Sequence, residues 1–149
     1  MYRVISFFVL FSFVSLMLYL HNLSGHSGTM NHALAHQTNQ ILIPDNVTAP
    51  SITGSVSKDL SGTWLLEIET NHFTFEPEKV GTQDISYNEG HAHIYLDGIK
   101  VNRLYGNYYN LDNLSPGKHE IKVTLNGNNH GVFVLAGKEI AYTETIEVP

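Results

Sequence analysis

The most informative stretch of the sequence is EGHAHIYLDGIKVNRLY, residues 89–105. Its first half alternates apolar and polar side chains, so that every second residue from Ala92 to Leu96 lies on one face of an extended strand. Asp97-Gly98 follows, a dipeptide typical of two-residue turns in which both central residues need φ > 0. The second half then returns as a partner strand. The stretch therefore predicts a β-hairpin within an antiparallel sheet.

The chain from residue 51 onwards repeats this pattern. Apolar residues recur with a period of two, and turn residues interrupt the runs roughly every eight to twelve positions. The turns are expected at Ser61-Gly62, Ser115-Pro116-Gly117, the loop NGNNHG at residues 126–131, and Gly137-Lys138. We predict an all-β domain over residues 51–149, an antiparallel Greek-key β-sandwich of about seven or eight strands, immunoglobulin-like or cupredoxin-like.

The charge balance argues against a nucleic-acid partner. The chain has 149 residues and a formal net charge of −6, and its eight Lys and Arg residues form no basic stripe that could neutralise a phosphate backbone. The chain has no cysteine, which removes disulfides and thiolate metal ligands. Its nine histidines outnumber Lys and Arg together, and histidine is a common metal ligand.

The N-terminal segment, residues 1–20, is predicted to direct the chain to a membrane. Arg3 precedes the uncharged run VISFFVLFSFVSLMLYL, which has the layout of a secretory signal and nearly the length of a transmembrane helix. The next residues match a cleavage site poorly, which favours an uncleaved anchor over a cleaved signal peptide. We expect the rest of the chain in the cell envelope, on the periplasmic or extracellular face, where it would also meet any protein partner.

Residues 21–50 are predicted to form a flexible linker, because HNLSGHSGTMNHALAHQTNQ is polar and rich in Ser, Gly, Asn and His. Its metal-binding side chains are His21, His26, Met30, His32 and His36. Imidazole with thioether suits copper. The linker is thus either an auxiliary copper site or a solvated spacer, and the sequence leaves both interpretations open.

The strongest candidate for a metal site is the motif Gly-His-Ala-His at residues 90–93. Residues two apart on a strand project from one face, roughly 6–7 Å apart at Cβ, so His91 and His93 can reach one ion. Ala92 and Ile94 would then point into the core. The opposing interpretation is a pair of exposed histidines on a polar face.

A tight site needs three or four ligands, so further residues must converge on this pair. His130 is the favoured third ligand, because packing gives it no evident role in its loop of Asn and Gly. His72, in TNHFTF, comes next, and Glu89 and Met30 are more distant options. His119 is in phase with the apolar positions of its strand, which favours a structural role.

Copper is the ion that this ligand set favours. Without cysteine a blue-copper centre is excluded, whereas all-imidazole sites suit Cu(II), Zn(II) or Ni(II), and Cu(II) binds most tightly. Zinc is the second choice. The predicted role is carriage, buffering or sensing of the ion without turnover. Because neutral imidazole is the ligand, affinity is expected to fall below about pH 6.

Other functional classes are less favoured by the sequence. It contains no G-x-S-x-G elbow, no P-loop and no H-E-x-x-H motif, which disfavours an enzyme. A metal-dependent enzyme with an open coordination position stays a third possibility, which would require a substrate cleft. The alternative from a different class is an immunoglobulin-like adhesion or accessory module. Such a module would bind a glycan or a protein through Tyr105, Tyr108 and Tyr109, and its histidines would be incidental.

Three blocks of the chain carry a resemblance: EGHAHIYLDG at residues 89–98, RLYG at 103–106 and VTLNGNNH at 123–130. They resemble a group of small exported bacterial β-sandwich proteins, mostly uncharacterised. More loosely, the chain is similar to copper-resistance and cupredoxin-like periplasmic proteins, which are β-sandwiches that bind copper through histidines. The resemblance implies His91, His93 and His130 as metal ligands. The cupredoxin loop of Cys, His and Met is missing, which disfavours electron transfer.

Overall fold

The computed structural model describes residues 2–26 and 39–149, and the chain divides into two units, residues 1–38 and 39–149. In the first unit the structure describes the helix α1, Tyr2–His26. Its apolar part, Tyr2–Leu20, has 19 residues, which makes about 28 Å of helix. It is the one helix in the described ranges that is long and apolar enough to cross a membrane, a property that signal sequences share.

The second unit is a sandwich of two β-sheets. Its strands are β1 (Gln40–Leu42), β2 (Ser51–Lys58), β3 (Trp64–Asn71), β4 (Thr74–Phe75), β5 (Glu89–Leu96), β6 (Ile99–Leu104), β7 (Tyr108–Asp112), β8 (Gly117–Asn126), β9 (Val132–Leu135), β10 (Lys138–Glu139) and β11 (Ala141–Val148). A short 3-10 turn, Pro77–Lys79, lies between β4 and β5. The predicted β-sandwich with an N-terminal hydrophobic helix is confirmed.

The larger sheet has eight strands in the order β1-β9-β8-β5-β4, with β6 paired to β5, β11 to β8 and β10 to β9. The smaller sheet has the order β2-β3-β7. Three of the eleven strands, β1, β4 and β10, have fewer than four residues, and the other eight agree with the predicted number. Most pairs are antiparallel as predicted, but β1 with β9 and β4 with β5 are parallel.

The predicted hairpin is formed by β5 and β6. Asp97 and Gly98 have φ of 52° and 78°, as a turn with two positive φ angles needs. The Asp97 carboxylate ties the turn to β8, because Oδ1 accepts from the backbone N–H of Glu120 at 2.9 Å. Oδ2 lies 2.8 Å from His119 Nδ1, and this contact raises the pKa of His119. His119 therefore has the structural role that its position in the strand predicted.

The hydrophobic core lies between the two sheets. Ala92 and Ile94 are fully buried, on the face of β5 that the alternation predicted. The other fully buried core side chains are Leu66, Ile68, Ile121, Val123, Leu125 and Phe133. Among the residues that the structure describes, every core residue lies between Ile41 and Val148, within the second unit.

The sandwich begins before residue 51, where the boundary with the linker was predicted. β1 pairs with β9, and Ile41 and Ile43 are core residues, 4% and 6% exposed. A strand of three residues shows too little alternation to be recognised from the sequence. At the other end, α1 continues through His21 to His26, where a linker was expected. Met30, His32 and His36 lie outside the described residues.

Candidate metal centre

His91 and His93 lie on the outer face of β5, inside the larger sheet. On one side β8 places Asn126 opposite His91 and Thr124 opposite His93. On the other side β6 places Arg103 opposite His93. Because backbone hydrogen bonds hold β5 along both edges, the two imidazoles are fixed relative to one another.

Both histidines are buried although they face away from the core, with 0% and 5% of their surface exposed. The rings of His130 and Tyr105 lie beside His91, at centroid distances of 5.0 and 5.8 Å. Lys100 extends over His93 and brings Nζ to 2.9 Å from Nε2. The interpretation of the motif as an exposed histidine pair is therefore wrong.

Gly90 allows β5 to approach β8 immediately before the histidine pair. A Cβ atom at this position would lie 2.0 Å from the carbonyl oxygen of Asn126 and 3.0 Å from Cα of Gly127. Both neighbours are backbone atoms that no side-chain rotation can move away, so only glycine fits. The motif at residues 90–93 thus combines a packing requirement with a pair of candidate ligands.

His130 comes from the loop between β8 and β9, which the sequence predicted. Its φ of 65° is in the left-handed region, uncommon for a residue other than glycine. Its N–H donates to the carbonyl oxygen of Gly127 at 2.9 Å, and its own carbonyl oxygen accepts from Asn126 Nδ2 at 3.2 Å. Asn126 Oδ1 in turn accepts from Thr124 Oγ1 at 2.7 Å. These bonds position the imidazole beside His91.

Ile41 of β1 packs against this loop. A Cβ atom on Gly127 would lie 2.5 Å from Ile41 Cδ1, and one on Gly131 would lie 2.7 Å from Ile41 Cγ1. The two glycines therefore let the loop backbone lie directly on the isoleucine. A residue that the sequence assigned to the linker thus supports the loop that carries His130.

The ring nitrogens of the three histidines converge. His91 Nε2 is 2.9 Å from His93 Nε2 and 3.2 Å from His130 Nδ1, and one nitrogen from each residue lies within 4.8 Å of the others. Nitrogens that bind one ion at about 2.0–2.1 Å are about 2.9 Å apart at a right angle and about 3.4 Å apart at the tetrahedral angle. The two distances from His91 Nε2 therefore match the spacing of ligands around one transition-metal ion.

Hydrogen bonds within the cluster do not satisfy all of its polar atoms. A neutral imidazole has one N–H and one lone pair. His93 Nε2 lies 2.9 Å from both His91 Nε2 and Lys100 Nζ, so two neighbours share one nitrogen. His91 Nδ1 is buried without a hydrogen-bond partner among the described residues. Such an arrangement is costly for a purely structural group of side chains, whereas an ion could use the converging lone pairs.

Burial keeps the histidines of the cluster neutral. Desolvation, followed by the charges of His130, Arg103 and Lys100, lowers the pKa of His91 to about 4. Desolvation and then the charge of Lys100 lower the pKa of His93 to about 3. The pKa of His130 is lowered by desolvation, Arg103 and Lys100. Near neutral pH all three therefore offer the neutral imidazole that a metal ion needs.

Two further predicted ligands, His72 and Glu89, do not join this group. His72 is exposed after β3 and lines a separate cavity with Tyr87 and Asn88. Glu89 pairs instead with Lys79, at 2.6 Å between Oε2 and Nζ. Three of the four ligands favoured by the sequence, His91, His93 and His130, are thus brought together.

The three tyrosines are in different environments. Tyr105 lies beside His91, whereas Tyr108 is 61% exposed and donates its hydroxyl hydrogen to Glu67. Tyr109 packs partly against the core, and its hydroxyl accepts from Asn102 Nδ2 at 3.1 Å. This placement does not favour an adhesive surface built from all three.

Sequence reasoning missed two cations beside the cluster, Lys100 and Arg103. The register of β5 and β6 shifts between Ile94 and Tyr95, so that Tyr95 lies opposite Lys100 while His93 lies opposite Arg103. On a regular strand, residues three apart face opposite sides. The extra residue of this β-bulge brings both cations to the histidine face, and the alternation of IKVNRL gives no sign of it.

Comparisons with family models, curated proteins and solved structures find no match for this chain. The resemblance to exported β-sandwich proteins and to copper-resistance proteins therefore stays a prediction. The histidine cluster is the feature from which a function can be inferred.

Proposed function

We propose that this protein binds one transition-metal ion, copper by preference, and carries or buffers it outside the cytoplasm. The observation that supports this function is the convergence of three neutral imidazoles, those of His91, His93 and His130, with ligand atoms within 4.8 Å of one another. Two of them are held on a strand inside the larger sheet and the third by a hydrogen-bonded loop. Binding therefore needs little ordering of the ligands, which favours affinity.

Ligand chemistry favours copper over its competitors. Nitrogen donors without thiolate suit divalent ions late in the first transition series, and Cu(II) binds such sites most tightly. The hard ions Mg²⁺ and Ca²⁺ need oxygen ligands, and no carboxylate is among the groups that shift the pKa values of the three histidines. Zinc remains the competitor to be tested.

The arrangement supports carriage or buffering of the ion. Structural zinc-type sites are closed by four protein ligands, whereas three histidines leave one coordination position open. His130 is only partly buried and lies on a loop, so it gives the ion a route between the site and solvent. The helix α1 would export the domain, either as an uncleaved anchor or as a signal peptide.

Titration of residues 39–149 with Cu(II) and Zn(II), by calorimetry with a competing chelator, tests this proposal. We expect one ion per chain and tighter binding of Cu(II) than of Zn(II). The double variant His91→Ala/His93→Ala should lose more than about a hundredfold in affinity, because even outer-shell partners of a ligand contribute 10–100-fold.

His72→Ala is the matched control, because it removes an exposed histidine that lies outside the cluster. It should leave the affinity for Cu(II) unchanged, and circular dichroism of each variant checks that the sandwich is intact. The proposal fails if the intact domain binds neither ion, or if the folded double variant binds Cu(II) as tightly as the parent domain.

The histidines ahead of the sandwich support a second, auxiliary site. His21, His26, His32 and His36, with Met30, form a set of imidazole and thioether donors. A chain of residues 21–149 should then bind more than the one Cu(II) expected for residues 39–149. Equal stoichiometry of the two chains would make this segment a spacer.

A further inference from the structure

We propose that the centre takes its ion together with a small anion, which Lys100 and Arg103 hold at the fourth coordination position. The chemical class is a carboxylate or a carbonate, bound through oxygen to the ion. This inference rests on the proposed function, because the anion needs the ion as well as the two side chains.

The charge around the ion favours an anion at this position. Three neutral imidazoles leave the charge of Cu(II) uncompensated. Lys100 Nζ is 2.9 Å from His93 Nε2, hence within about 5 Å of an ion bound to that nitrogen. Arg103 lies opposite His93 in the strand register. The described groups that act on the three histidines include these two cations and no carboxylate, so an anion from solution would supply the negative charge that the protein side chains do not.

Lys100 and the ion compete for one lone pair, that of His93 Nε2. An ammonium group has three N–H donors and no acceptor, so Lys100 donates to His93 Nε2 when no ion is bound. An ion bound to His93 needs that same lone pair. Lys100 must then turn to another acceptor, and an anion on the ion would place one within its reach. Hydrogen bonds between two charged groups are stronger than those between neutral groups.

A β-bulge brings both cations to this position. Without the extra residue in β6, Lys100 and Arg103 would project from opposite faces of the strand. With it, both act on His91, His93 and His130, whose pKa values they lower. Bulges commonly direct side chains toward binding sites. The same strand pairing that holds His93 thus also places Lys100 and Arg103 beside the cluster.

Azide is a suitable probe, because its charge-transfer absorption with Cu(II) reports direct coordination. Residues 39–149 are loaded with Cu(II) and titrated with azide, and electron paramagnetic resonance follows the copper environment. Lys100→Met removes the charge beside the cluster, while Lys118→Met removes one from an exposed position of β8. We expect Lys100→Met to weaken azide binding about tenfold, the size of a charged hydrogen bond, and Lys118→Met to leave it unchanged.

The same variant should change Cu(II) binding in the opposite direction. In a buffer without coordinating anions, Lys100→Met should bind Cu(II) about tenfold more tightly, because the competitor for the His93 lone pair is gone. A merely structural role of Lys100 would weaken the binding of copper and of azide together. Tighter Cu(II) binding together with weaker azide binding in Lys100→Met is therefore the result that identifies Lys100 as an anion-binding residue.

Acetate and bicarbonate, each competing with azide, then identify the class of anion. Displacement by acetate indicates a carboxylate, displacement by bicarbonate indicates a carbonate, and displacement by neither contradicts the inference. Equal azide affinities of the Lys100→Met and Lys118→Met variants would overturn it and leave metal binding intact. Failure of the parent domain to bind Cu(II) would instead overturn the proposed function and this inference with it.

Discussion

Burial changes the chemistry available to the clustered histidines. An exposed histidine has a pKa of about 6.5 and is mostly protonated in mild acid. His91 and His93 have pKa values of about 4 and about 3, because the side chains around them exclude water and add positive charge. Protons therefore compete weakly with a metal ion for these two nitrogens.

Copper binding is expected to persist at pH 5. Each ligand with an ordinary histidine pKa would cost about thirtyfold in affinity at that pH, whereas His91 and His93 become protonated only near pH 4 and below. Competition titrations of residues 39–149 at pH 7 and pH 5 should give dissociation constants within about tenfold of each other. Burial therefore moves the expected loss of affinity from below about pH 6 to more acidic pH. A decrease in affinity of more than about a thousandfold would show that the histidines are not protected.

Among the strands, β5 depends on the glycine that precedes its histidines. Gly90→Ala is expected to destabilise residues 39–149 by at least about 2 kcal/mol, because the added Cβ would meet the backbone of Asn126 at 2.0 Å. Separation of β5 from β8 should also weaken Cu(II) binding. Urea denaturation measures the free energy of unfolding, and Gly106→Ala is the control, since a Cβ there meets nothing within 4 Å. Equal stability of the Gly90→Ala and Gly106→Ala variants would contradict the close approach of β5 to β8 at Gly90.

Elements with their own periodicity or turn chemistry were predictable from the sequence. The hairpin of β5 and β6 follows from Asp97-Gly98 and the flanking alternation, and the sandwich follows from its repetition. β1 was not predictable, because its three residues show no period and its partner, β9, is about ninety residues further along the chain. Its burial is set by that distant pairing rather than by local pattern.

Some features of the candidate site were likewise predictable from the sequence, and others were not. The spacing of His91 and His93, and the lack of a packing role for His130, sufficed to predict that these three histidines come together. Their burial was not predictable, because it depends on side chains that reach over β5 from other elements. The positions of Lys100 and Arg103 depend on a bulge in the pairing of two strands, which neither strand reveals alone.

For the whole molecule, the apolar helix α1 leads to a prediction about the fraction in which the chain is recovered. We expect the full chain, expressed in bacteria, to stay at its full mass of 16.7 kDa in the membrane fraction and to resist extraction by alkaline carbonate, because Tyr2–Leu20 is long enough to span a bilayer. A chain that lacks residues 2–20 should be recovered in the soluble fraction. Recovery of a shorter, soluble chain from the full sequence would identify α1 as a cleaved signal peptide.

The support that Ile41 gives to the loop of His130 has a kinetic consequence. Two ligands are fixed on a strand and one is carried by a loop, so the bond to His130 should be the first to break when an ion leaves. Ile41→Val deletes the Cδ1 atom beneath Gly127, and we expect it to speed Cu(II) transfer to a chelator severalfold in stopped-flow measurements. Ile43→Val, which loses the same atom from a neighbouring core position, should leave the rate unchanged. Equal rates for both variants would mean that loop motion does not limit release, and a faster Ile41→Val variant would make β1 the element that sets how long the ion stays.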